Sequence, residues 1–243
     1  MTSFATRRLV LAAAATAPFT LAGCAAPGTT ASAGGTVLAE VPAYRVGDRW
    51  TYRIASGFRA VSDYDEVVEV VAAGPDGIEV RVTERITPVP ATRIERWRAP
   101  GLVVQGTLTG SETRRFAEPL ERFRFPLASG QRWNQWVEQV NDTQKTSGRI
   151  NRFVGVRGLQ SVTVPAGTFE AVRMNVLMTL DDETPFRFAT EASYVTFYAP
   201  AVRNVVREER RAQFRERGTG RDGSAYVQAQ NEVATLLAFT PGP

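Results

Sequence analysis

The chain has 243 residues with no histidine, a single cysteine (Cys24) and a single lysine (Lys145), and its formal charge of +4 rests almost wholly on arginine. Without imidazole or a second thiol it can build neither a Ser-His-Asp or Cys-His nucleophile nor a Cys/His zinc site. Acidic residues interleave with the arginines, as in Arg207-Glu208-Glu209-Arg210-Arg211, which reads as a solvated ion-paired face and argues against the uncompensated basic stripe of a nucleic-acid binder.

The first element in chain order is an export signal. Arg7 and Arg8 make a basic start, Leu9 to Phe19 an apolar stretch, and Leu21-Ala22-Gly23-Cys24 a close of small residues. The stretch is shorter than the ~20 residues that a permanent bilayer-spanning helix needs. Leu21-Ala22-Gly23-Cys24 resembles the lipobox of bacterial lipoproteins, which implies cleavage before Cys24 and acylation of its thiol and of the new amino terminus. Residues 1–23 are then a signal peptide and Cys24 the lipid attachment. Thr6-Arg7-Arg8-Leu9-Val10-Leu11 is similar to a twin-arginine export motif, with the general secretory route the alternative. Alanine rather than aspartate at position 25 resembles the residue that releases such proteins to the outer membrane, facing the periplasm.

Residues 24–36 are rich in Ala, Gly, Pro, Ser and Thr, a composition that makes a flexible tether, and a folded domain is expected over 37–243. From there the period is two. Ile78, Val80, Val82 and Ile86 alternate with Glu79, Arg81 and Arg85, and Val172, Met174, Val176, Met178 and Leu180 alternate with Arg173, Asn175 and Thr179. Gly74-Pro75-Asp76-Gly77 and Pro165-Ala166-Gly167 supply turns for two antiparallel hairpins, and Gly218–Gly223 for a third between Val202–Phe214 and Tyr226–Phe239. Short helices are expected at most around Glu112–Phe123 or Glu208–Arg217. Roughly ten strands with tight turns predict an all-β domain, a curved antiparallel sheet closed as a half-barrel, barrel or sandwich. Val46-Gly47-Asp48-Arg49-Trp50 and Ser129-Gly130-Gln131-Arg132-Trp133 echo one another and hint at a duplicated meander.

Three segments resemble a poorly characterised family of exported bacterial lipoproteins: Tyr44-Arg45-Val46-Gly47-Asp48-Arg49-Trp50-Thr51-Tyr52 with its G-D-x-W-x-Y opening strand, Val162 to Arg173 with V-x-V-P-A-G-x-F-x-A-V, and Tyr198 to Glu209. The resemblance implies a sheet similar to the lipoprotein-carrier half-barrels and brings no reaction with it. In those relatives a Gly often follows the A-P-x-x stretch where this chain has Arg203-Asn204, so a different turn is expected here.

Candidate sites are sparse. Asp181-Asp182-Glu183 lacks the alternate oxygens and later Glu of a Ca²⁺ loop and reads as a polar hairpin tip; no metal site or cofactor is expected. Asp63, Asp65 and Glu66, or Glu138 and Asp142, could supply paired carboxylates for glycan hydrolysis. Ser32, Ser56, Ser111, Ser129 and Lys145 stand in no activating motif, and Gly218–Gly223 lacks the ending of a phosphate loop. Trp50, Tyr52, Trp97, Trp133 and Trp136 fall on or beside predicted strands; they either line a ligand pocket on the concave face or pack the core.

The functional expectation is therefore a membrane-anchored lipoprotein that binds an apolar ligand, a lipid or an envelope protein, with binding favoured over catalysis because no catalytic set is present. A carboxylate hydrolase and a structural assembly protein are the alternatives. Replacing Cys24 by Ala is expected to move the chain from the membrane fraction and detergent phase into the soluble fraction, with loss of acylation by mass spectrometry. An acylated, membrane-bound Cys24→Ala chain would overturn the anchoring role.

Overall fold

The computed structural model describes residues 35–57, 63–86, 89–109, 112–183, 187–216 and 227–243, so the expected signal segment, Cys24, most of the expected tether and the turn expected at 218–223 lie outside them. The described chain is almost entirely strand: β1 (Val37–Ala39), β2 (Arg49–Ser56), β3 (Tyr64–Gly74), β4 (Gly77–Arg85), β5 (Ala91–Ala99), β6 (Leu102–Thr107), β7 (Thr113–Glu121), β8 (Leu127–Ala128), β9 (Arg132–Asn141), β10 (Thr146–Val164), β11 (Gly167–Asp181), β12 (Thr190–Ala199), β13 (Asn204–Arg215) and β14 (Val227–Thr240). One 3₁₀ turn, Pro200–Val202, links β12 to β13.

Twelve strands close into an antiparallel barrel in the order β2-β3-β4-β5-β6-β7-β9-β10-β11-β12-β13-β14 and back to β2. Two consecutive six-stranded meanders, β2–β7 and β9–β14, thus meet at two seams, β14 with β2 and β7 with β9. The short strand before each meander pairs with the other, β1 with β8, and Ala39 and Leu127 from this ribbon enter the core. Among the sheet forms expected from sequence, the closed barrel is the one adopted. The hairpins at Gly74–Gly77 and Val164–Gly167 form as expected, and the strands preceding and following the third turn also pair.

The short helices do not form. Residues 113–121 and 204–215 are strands, because every neighbour in the barrel offers them a ladder and their alternating polar positions satisfy both faces. Outward residues of β2–β5 carry charge in register: Arg53 faces Asp65 (2.6 Å), Arg81 faces Glu69 (3.7 Å) and Arg96 faces Glu79 (2.9 Å). Each such exposed cross-strand pair adds only ~0.2–1 kcal/mol, yet together they give the outer wall of this half a charged face rather than the apolar band of a membrane-spanning barrel.

One end of the barrel is an aromatic plug. Trp50 stacks on Phe239 (5.5 Å between centroids), Tyr44 meets the edges of Trp50 and Trp97, and Phe123, Phe125 and Tyr198 form a triangle. Asp48, fully buried, clasps this end. Its carboxylate accepts the backbone N–H groups of Arg45 (2.8 Å) and Gly242 (2.8 Å) and the Arg203 guanidinium (2.6 Å). Arg203 sits in the left-handed region (φ 56°, ψ 20°), where a side chain is strained and glycine is usual. Arg203 thus takes the conformation that glycine adopts most readily, and the Asp48 ion pair with the Phe239 ring face (5.4 Å) holds the arginine there. Trp50 Nε1 donates to Val202 O (2.8 Å), so the first and third of the resemblance segments meet in space.

Asp48→Ala would leave Arg203 and two amides without their acceptor, and loss of about 3 kcal/mol in urea unfolding is expected. A loss below ~1 kcal/mol, within the range of an ordinary surface change, would contradict the clasp.

Candidate functional site

Inside the barrel, alternation brings charge as well as carbon. Along β5 the inward positions are Arg93, Glu95 and Trp97; along β4 the apolar run Ile78, Val80, Val82 continues inward to Glu84; β3 contributes Glu66 and Val68. From the other meander come Arg152 between Ile150 and Val154 on β10, Tyr194 and Thr196 on β12, and Glu208 and Arg210 on β13. These strands surround an interior cavity of about 130 Å³, whose lining also includes Tyr52, Tyr64, Thr107, Leu108 and Arg122.

Most of the interior charge is matched. Arg93 pairs with Glu84 and, at 2.9 Å, with Glu66. Glu95 accepts from Arg122 (3.3 Å), Trp97 Nε1 (3.2 Å) and the Thr107 amide (3.4 Å). Glu208 accepts from Arg210 (2.7 Å) and Thr196 Oγ1 (2.7 Å). Arg152 differs: its guanidinium donates from Nη1 to Glu121 O (2.7 Å), and among the described residues no carboxylate lies within ion-pair distance. Burial, reinforced by the nearby Arg122 charge, lowers its pKa to about 10. Arg93 Nε and Thr107 Oγ1, both on the cavity wall, are buried with no hydrogen-bond partner in the structure.

Burial alone would raise Glu95 and Glu208. For Glu95 the charges of Arg122 and Arg93 outweigh that penalty, for Glu208 the charge and hydrogen bond of Arg210, and both carboxyls are held below their ordinary range. Tyr52 and Tyr194 are driven the other way by burial and stay neutral donors, to Val205 O (2.8 Å) and Leu108 O (2.5 Å). A hydrolytic carboxylate pair needs one member raised to act as general acid; these two are lowered.

A second buried network lies toward the opposite end from the aromatic plug. Arg114, fully buried on β7, is gripped by both oxygens of Asp182 and by Glu112, while Gln139 donates to Asp182 (2.9 Å) and Asn141 to Glu112 (3.0 Å). Asp182 was expected at a polar tip; it turns inward because Arg114 lies beneath it, and Arg114 holds its carboxyl low against the penalty of burial.

The sequence-predicted residues separate. Tyr52 and Trp97 line the cavity. Trp50 and Trp133 are buried in packing, each with Nε1 donating to a backbone carbonyl, Val202 O and Glu121 O (3.2 Å). Trp136 points outward, 61% exposed, with Arg149 over its ring at 5.4 Å. The acidic candidates divide between faces: Asp65 pairs with Arg53 outside while Glu66 points inward, and Asp142 pairs with exposed Arg115 while Glu138 faces Arg149 across β10. Of the Arg207–Arg211 run, read as a solvated face, the strand sends Glu208 and Arg210 to the interior and leaves the Arg207–Glu209 pair outside. Beyond Tyr52, Trp97 and Glu66, sequence reasoning missed the interior set, whose signal was a charged residue standing in the apolar parity of a strand, as Glu84 after Val82 or Arg152 between Ile150 and Val154.

The outer wall carries a further groove of about 780 Å³ across β10 to β14, where Phe153 and Leu177 face each other across the strand pair.

No family model matches the chain, and neither does any curated protein. Solved structures similar to it include a Bacteroides fragilis protein described as exported with a YmcC-like fold (13% identity, TM-score 0.48, 83% of this chain and 99% of that one). A Parabacteroides distasonis protein described as a lipoprotein (11%, TM-score 0.45, 81% and 96%) and the lipoprotein YmcC of Escherichia coli (11%, TM-score 0.40, 81% and 85%) are also similar.

Because Glu95 and Glu208 have lowered folded-state pKa values, their ion pairs stabilise fully above the unfolded value of ~4.3 and lose that contribution as pH falls through the folded one. Glu95→Gln is expected to lower stability at pH 7 and to flatten the acid limb of a Tm-against-pH curve. An acid limb as steep as that of the unaltered chain would contradict the assignment.

Proposed function

We propose that the protein is a lipoprotein of the bacterial cell envelope, tethered through acylated Cys24 in the periplasmic leaflet of the outer membrane, whose barrel binds a small amphipathic ligand. The supporting observation is the mixed lining of the interior cavity: Trp97, Phe123 and Val82 offer carbon, Arg152 has no carboxylate in ion-pair range, and Arg93 Nε and Thr107 Oγ1 are buried donors without a partner. A volume of about 130 Å³ lies below the ~300–1,000 Å³ of ordinary ligand pockets, so the ligand is short, and the apolar-ligand expectation narrows to a molecule with a polar head. Residues 1–23 act as the export signal, 24–36 as the tether and 37–243 as one binding domain. Docking of an envelope protein is a second reading, favoured by the outer groove with its facing Phe153 and Leu177.

The ligand reading is tested on the full chain extracted from membranes in detergent, by native followed by denaturing mass spectrometry. A small molecule released in near-stoichiometric amount is expected. An empty barrel, carrying only its anchor and bulk lipid, would overturn the reading.

A further inference from the structure

The cavity wall holds four glutamates and four arginines, so its formal charge is balanced, but the pairing is not. Arg93 takes two carboxylates, Arg122 and Arg210 take one each, and Arg152 takes none. A buried guanidinium without an ion-pair partner is costly, since burial removes its hydration, and a carbonyl hydrogen bond with the more distant Glu208 and Glu121 charges offsets that loss only in part. Arg122, itself shared with Glu95, adds like-charge repulsion. The Glu121 carbonyl explains why Arg152 is oriented as it is, because Glu121 O also accepts from Trp133 Nε1, but it does not neutralise the charge.

We propose that Arg152 is the recognition residue for a small monocarboxylate whose head enters the cavity. An oxyanion beside Arg152 would supply the missing counter-charge through charge-assisted hydrogen bonds, the strongest kind available to a guanidinium. Thr107 Oγ1 and Arg93 Nε are further donors on the same wall. A single negative charge is favoured over a double one because Glu95 and Glu208 also line the cavity and would repel a dianion. Val82, Leu108, Trp97 and Phe123 on that wall suit a short hydrocarbon tail. This inference rests on the ligand-binding reading above and gives it a chemical class.

The test uses the full chain in detergent and thermal unfolding at fixed ionic strength with three probes: butanoate, its uncharged relative butanamide, and inorganic phosphate. Butanoate is expected to raise Tm with concentration, butanamide and phosphate to leave it unchanged. Arg152→Gln, which keeps an amide donor for Glu121 O, should weaken the butanoate response about tenfold or more, and Arg152→Lys should retain part of it. A butanamide effect equal to butanoate, an undiminished response in Arg152→Gln, or a phosphate effect larger than butanoate would overturn the monocarboxylate assignment. Should Arg152→Gln fail to fold, equal responses in Arg152→Lys and the unaltered chain at pH 7, set beside a butanamide effect, would do the same. A co-purifying neutral ligand that is insensitive to Arg152 would sink this proposal while sparing the binding reading; an empty barrel sinks both.

Discussion

Closure is the constraint on which the rest of the structure depends. Two six-stranded antiparallel meanders left apart would offer four edges of unpaired amides and carbonyls; joining β14 to β2 and β7 to β9 removes them. It also creates an interior wider than apolar side chains alone fill in this chain. The interior is consequently divided along its length into an aromatic plug, a charged middle with a cavity, and the Arg114–Asp182 network. The two seams are unequal. β14 and β2 share a long ladder, whereas β7 pairs with β9 only from Arg114 to Phe116. Beyond that, Pro119 has no N–H to give, and side chains take over: Gln135 bridges Pro119 O (2.9 Å) and Glu121 N (2.8 Å), while Trp133 and Arg152 reach Glu121 O. The residue that lacks a counter-charge is thus positioned by the weak seam.

Buried charge is usually a poor way to stabilise a core, since desolvation offsets much of the Coulombic gain. Here the cost is distributed. Most interior carboxylates have at least one guanidinium, several have a second donor, and the glutamates with resolved shifts, Glu95 and Glu208, are held ionised. Such a network specifies which strand meets which, because a one-residue slip would turn Arg93 and Glu95 outward and bring Thr92, Ile94 and Arg96 inward in their place. The Asp48 clasp works by the same logic at the plug, tying the 3₁₀ turn and the C-terminal residues to the start of β2.

Much of this was legible in the sequence, unevenly. Period-two runs such as Ile78–Val82 and Val172–Leu180 announced an all-β sheet, and the Gly74-Pro75-Asp76-Gly77 and Pro165-Ala166-Gly167 turns placed two hairpins correctly, because both signals are local. The paired beginnings at Gly47–Trp50 and Gly130–Trp133 also had a local meaning: both glycines take positive φ (90° and 76°), and each buried Trp then donates to a backbone carbonyl, Val202 O or Glu121 O. What stayed hidden depends on partners distant in sequence. Glu208 and Arg210 read as surface because Thr196, Tyr194 and Arg152 could not be placed beside them, and Asp182 read as a tip because Arg114 is on another meander. The five aromatics looked equivalent until the pleat sent Trp136 outward, Trp50 and Trp133 into packing and only Tyr52 and Trp97 to the cavity.

The most direct measurement of the central claim is amide hydrogen exchange across both seams of the full chain in detergent. Closure predicts that the amides joining β14 to β2, and those of Arg114–Phe116 against Gln139–Asn141, are protected alongside the β10–β11 hairpin, with exchange by global opening. Fast exchange along either seam while the meanders remain protected would show an open sheet, and would remove the walled interior on which the ion-pair network and the proposed ligand site both rest.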